Sequence, residues 1–258
     1  MHVPYFTGLL NSLRTPVLAL LATQVLCPGN NSFGQSPSDT DEAATEAVRA
    51  WYQVVGDGSD QAHLLEFGTV GSASEPLNQA YLQLSPALRT RMSKAQFFAH
   101  YRGLARLKLL QAHAANAQEG VSRVFVEEEH IAVLAGVPAM AWFAGFVEVT
   151  RTSEGWKISN FTDVKPEDII SMSLGGHQPW RADPEDVARV GLKCSPNEVD
   201  CEIVSNSLTL TGQTLDRAVT TERPVIVMIQ RAGGLRRVEL ARLHSGEWIV
   251  VRDQPAQQ

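Results

Sequence analysis

The sequence predicts an α+β protein in which helices come first and antiparallel strands follow. Apolar residues recur at helical spacing from residue 39 to about 104, and the period changes to two from residue 105 onward. Glycine-centred turn signals then divide the second region into short extended stretches, the pattern of a strand meander. Helices followed by strands argue for layered α+β packing over alternating βαβ units, and no Gly-rich phosphate fingerprint follows any extended stretch.

The first helix opens on Asp39 and Glu42, which have capping-box spacing. It continues through Ala44, Ala47, Val48, Trp51, Val54 and Val55, and Gly56-Asp57-Gly58 is expected to end it. A second helix is expected over 76–84, with Leu77, Tyr81 and Leu84 on one face, stopping before Ser85-Pro86. A third follows Ser93 and carries Phe97, Phe98, Tyr101 and Leu104. Strands are expected over 105–114, 121–134, 140–152 and 156–164, reversing at Glu119-Gly120, Gly136-Val137-Pro138 and Ser153-Glu154-Gly155.

Residues 171–186 concentrate Gly and Pro without periodicity and are read as a linker. It separates a domain over 35–170 from a small β-rich module over 187–258. Further extended runs in the module cover 202–210, 224–230, 235–243 and 248–252, the last two joined across His244-Ser245-Gly246-Glu247.

Residues 1–34 hold Arg14, no acidic residue, an apolar run from Pro16 to Leu26 and the small-residue pattern Ser32-Phe33-Gly34. This is the order of a cleaved signal peptide, so the chain is expected to be secreted or periplasmic. Thr23, Gln24 and Cys27-Pro28-Gly29 interrupt the run, which disfavours a permanent transmembrane helix. A lipoprotein anchor on Cys27 is disfavoured by the bulky Leu26, which stands where a small residue is usual. With Cys27 removed, Cys194 and Cys201 remain, and an oxidising compartment would pair them. Free thiols and a metal site are the rival readings, the latter lacking a second Cys pair or a nearby His at ligand spacing.

Hydrophobic residues at 44% and charged residues at 19% suit a folded chain. A net charge of −6, with Arg236-Arg237 as the tightest basic cluster, argues against nucleic-acid binding.

Trp51-Tyr52 on the first helix, the phrase Ala80-Tyr81-Leu82-Gln83-Leu84-Ser85-Pro86-Ala87-Leu88-Arg89, residues 93–101 and a strand meander ending Glu154-Gly155-Trp156-Lys157-Ile158 together resemble the NTF2-like superfamily, in particular its secreted bacterial members. The resemblance covers about residues 40–168. It implies helices closing over a curved antiparallel sheet, a cone with a pocket at its wide end. Its members include isomerases, dehydratases, ligand binders and scaffolds, so it implies no single activity.

Enzymes of that superfamily place a carboxylate base in an apolar cone, which directs attention to Arg123–Leu134, where Glu127-Glu128-Glu129-His130 interrupts an apolar run. Alternation puts Glu127 and Glu129 on one face and Glu128 and His130 on the other. The favoured reading is a bulge or an exposed edge, where charge discourages edge-to-edge aggregation; the rival is a base among Glu127, Glu128, Glu129 and His130. Tyr52, Tyr101 and Trp142 are the other pocket candidates, although ordinary core packing is the favoured reading of each. Asp57, His63, His100 and His113 form no triad or metal spacing, and no catalytic residue, cofactor or metal is assigned.

These readings point to a non-catalytic exported protein that binds a small apolar ligand or another envelope protein, with a homodimer through the sheet as a further expectation. An isomerase or dehydratase and a cell-envelope assembly factor are the competing classes.

Overall fold

The computed structural model describes residues 37–66, 74–102, 104–116, 120–134, 137–164, 182–194, 201–210 and 224–256. The leader over 1–34 and most of the linker, residues 171–181, lie outside them. Helices α1 (Pro37–Glu66), α2 (Ser74–Leu82), α3 (Pro86–Arg91) and α4 (Lys94–Arg102) precede β1 (Leu104–Ala114), β2 (Val121–Leu134), β3 (Val137–Thr152) and β4 (Gly155–Val164). After them come α5 (Pro184–Gly191), β5 (Glu202–Asn206), the single turn α6 (Ser207–Leu210), β6 (Val225–Arg231), β7 (Gly234–Arg242) and β8 (Trp248–Pro255). Each set of four strands forms an antiparallel sheet in sequence order, β1-β2-β3-β4 and β5-β6-β7-β8. The protein is therefore α+β, helices first.

Four layers result, and apolar alternation builds them. Leu107, Val124, Val126, Val147, Val149 and Ile158 turn one face of the first sheet onto Val48, Trp51, Leu77 and Phe97 of the helices and onto Leu84, just after α2. The opposite face presents Phe125, Ala144 and Phe146 to Ala241, Leu243, Ile249 and Val251 of the second sheet. Val227, Ile229, Val238, Leu240 and Trp248 turn the other way, onto Val187, Ala188 and Leu192 around α5. Polar groups add to these contacts: Arg252 on β8 donates to Asp41 on α1 at 2.7 Å, and the Asp253 N–H on β8 donates to the side chain of Asn116, just after β1, at 3.0 Å.

Three local expectations need correction. Helix α1 does not stop at Gly56-Asp57-Gly58. A Cβ on Gly56 would stand 2.9 Å from the Leu107 carbonyl oxygen, and one on Gly58 would stand 2.8 Å from the Leu77 side chain. These glycines admit a close neighbour, and packing on β1 and α2 outweighs their poor helix propensity of about 1 kcal/mol each. Ser85-Pro86 starts α3 instead of only ending α2, since the Ser85 hydroxyl accepts from the Leu88 N–H at 3.2 Å with Pro86 at the first position. Finally, β2 is an interior strand between β1 and β3, so the exposed-edge reading of Glu127-Glu128-Glu129 fails, whereas the register shift between Leu109 and Gln111, opposite Glu128 and Glu127, agrees with the bulge reading.

Cys194, just after α5, and Cys201, just before β5, form a disulfide with Cα atoms 6.1 Å apart. No helix among the described residues is long and apolar enough to cross a membrane.

Candidate functional site

The alternation along β2 sends its charges to two places. Glu127 faces the second sheet and is 2% exposed, which a carboxylate tolerates only when its oxygens are bonded. Gln111 stands directly across the β1–β2 ladder at a register shift and donates its Nε2 to Glu127 Oε2 at 2.5 Å. From the β7–β8 turn, the His244 backbone N–H donates to Glu127 Oε1 at 2.9 Å, and the imidazole Nδ1 lies at 2.9 Å from the same oxygen. The carboxylate can only accept, which assigns the proton to Nδ1. Gln111 also donates to the Arg242 carbonyl at 2.8 Å, and its own Oε1 faces His113 Nε2 at 2.9 Å. Trp142 stacks on the His244 ring, centroids 4.2 Å apart and planes 18° from parallel. Three donors thus converge on the nearly inaccessible Glu127 from two sheets, so this group holds layers together.

Glu128 and His130 face the helices, His130 Nε2 lying 3.3 Å from Glu128 Oε1 and its ring 4.5 Å from Phe143. Glu128 lines a cleft with Tyr52, Val126, Phe143, Phe161 and Thr162 whose volume is about 30 Å³. That is room for about one water, against about 300 Å³ or more in ordinary ligand pockets. Tyr101 packs in the aromatic cluster, 6.2 Å from Trp51 and 4.9 Å from Phe97. Glu129 is half-buried opposite Trp142 in the ladder.

The structure therefore brings Tyr52 and Glu128 to one cleft and unites Glu127 with Trp142 through His244. Tyr101 and Glu129 belong to neither contact set. Sequence reasoning missed Gln111 and His244, because their proximity to Glu127 arises from sheet stacking and from no local spacing.

His100 packs its ring 4.6 Å from Tyr101. Burial, and then the nearby His130, lower its pKa from 6.5 to about 4, with Glu128 acting in the opposite direction. Because the unfolded chain binds this proton more readily, the contribution is fully present above pH 6.5 and is lost as pH falls toward 4. The residue also keeps an exposed side, so solvent screening makes the loss of stability smaller than that shift alone would imply. Melting curves between pH 7 and 4 should show a shallower acid loss for His100→Gln than for the parent; superimposable pH profiles would refute this.

Among the described residues no group of three or more His, Cys, Asp or Glu is placed to hold a metal ion. No protein-family model and no curated protein matches the chain. Two solved structures are similar in part. The intermembrane space region of the chloroplast protein ARC6 shares 14% identity over 48% of this chain and 95% of its own, with a TM-score of 0.33. An NTF2-like protein involved in plasmid conjugation shares 7% identity over 81% of this chain and 97% of its own, with a TM-score of 0.24. At these scores neither similarity supports an inference about activity.

Proposed function

We propose that this is a non-catalytic, exported protein of the cell envelope that works by binding, and that its binding element is the uncovered start of β3. One observation carries the reading: in a segment without charge, Val137 is 65%, Met140 52% and Trp142 36% exposed. Apolar side chains grouped in this way on a folded protein usually mark a contact surface. Two further observations favour binding over turnover. Glu127 is buried and accepts three hydrogen bonds from groups of both sheets, and the cleft beside Glu128 is too small for a small apolar ligand. The disulfide suits an oxidising compartment outside the cytoplasm.

Two experiments test this reading. A photo-crosslinking amino acid in place of Met140, in cells that export the protein, should yield an adduct with an envelope component. The same probe at Asp57, an exposed position on α1, should not, and equal labelling at both would contradict the reading. Export itself is tested by intact mass, which should show a chain beginning near Gln35; a product retaining residues 1–26 would contradict it.

A further inference from the structure

We propose that the free end of the β2–β3 hairpin docks on an anionic lipid surface, an inference that rests on the reading of β3 as the binding element. From Ile131 through Val147 the chain carries no charged residue and, apart from the Trp142 indole N–H, no side-chain hydrogen-bonding group. In the ladders β1 accompanies β2 only as far as Ala132, and β4 accompanies β3 only from Ala144. Among the described residues the hairpin therefore extends past its ladder neighbours, and the apolar residues named below lie in that extension.

Both faces of that extension are apolar. Val137, Ala139 and Ala141 share the face that elsewhere meets the helices, whereas Met140 and Trp142 share the face that elsewhere meets the second sheet. A partner strand or a second copy would cover one edge or one face, but a lipid surface receives both at once.

The charges beside the tip are of the sign that anionic headgroups attract. Arg106 and Lys108 on β1 are exposed, stand opposite Ile131 and Glu129 in the ladder, and so lie in the rows that end at Met140 and Trp142. Neither forms an ion pair among the described residues. Glu129 is the anion in those rows and is half-buried. From the Arg106–Met140 row to the end of the hairpin is about 10 Å at the usual strand rise, the depth of the headgroup and acyl boundary. Free edge N–H and C=O groups at that depth still reach water, whereas Trp142, two residues farther from the tip and stacked on His244, stays on the water side of the Arg106–Met140 row. Because the whole chain carries a net charge of −6, attraction to anionic lipid must come from this local patch and should weaken with salt.

The test is flotation of the exported chain with phosphatidylcholine vesicles that contain or lack phosphatidylglycerol. The parent should float with the anionic vesicles. Val137→Asp plus Met140→Asp, both at exposed positions, should lower partitioning at least tenfold without changing the melting temperature. Arg106→Gln and Lys108→Gln should each lower it about fivefold on anionic vesicles alone, the effect expected for one cation near such a surface. No flotation of the parent, or equal flotation of the Asp variant, would overturn the lipid assignment. If the parent fails to float yet forms a concentration-dependent dimer that the Asp variant loses, lipid is the wrong partner while β3 remains the binding element. If both chains neither float nor self-associate and the crosslink at position 140 is absent, the binding reading falls as well.

Discussion

Glu127→Ala should lower stability by about 3 kcal/mol, the size expected when a buried, hydrogen-bonded charge is removed and its partners are left behind. Gln111 Nε2, the His244 N–H and His244 Nδ1 would each lose an acceptor that is itself 2% exposed, and Gln111 is buried with it. Glu127→Gln should cost about 2 kcal/mol although its shape is the same. Its amide brings two N–H groups to a place where three donors already point, so at least one donor must face another. For a folded region of this size these losses correspond to a fall in melting temperature of roughly 4 to 12 °C. Glu129→Gln is the control, since this half-buried neighbour should change stability by less than about 0.5 kcal/mol. Thermal melts of the three variants decide the matter. A Glu127→Gln protein that melts like its parent would show that the carboxylate does not join the sheets.

Removing the disulfide by Cys194→Ser plus Cys201→Ser should cost about 2.5 kcal/mol by the chain-entropy relation for so short a loop. The link fastens the C-terminal end of α5 to the start of β5, and Cys201 is buried in the cluster that includes Val227, Leu240 and Trp248. Loss should first loosen α5 from the second sheet, and limited proteolysis should cut near 184–201 before it cuts the strands of the first sheet. Two free thiols in the exported protein, or a double variant as resistant as the parent, would contradict this.

Much of the fold was legible because its elements are amphipathic over their full length. Trp51, Val55, Phe97 and Val147 fall at the periods that bury them, and the turns at Gly120 and Gly155 adopt positive φ values of 75° and 103°. The readings that failed depend on neighbours distant in sequence. Gly56 is a close-approach residue only because Leu107 lies against it, and Ser207–Leu210 turns helical although its residues read as a continuation of β5. The charge cluster on β2 was visible, but its meaning was not. An isolated strand with three glutamates looks like an exposed edge; only the stacking of a second sheet, 117 residues further on at His244, makes Glu127 an internal joint. The exposed start of β3 was hidden for the opposite reason, since an apolar strand reads as core until its neighbours are found to stop short of it.

The measurement that bears most directly on the account is amide hydrogen exchange of the exported chain, peptide by peptide, with and without anionic vesicles. The account predicts slower exchange confined to residues 131–143, with peptides around Tyr52 and Phe161 unchanged. Slowing around Tyr52, Glu128 and Phe161 with no change over 131–143 would contradict it, because the cleft and not the hairpin would then be the place where this protein binds.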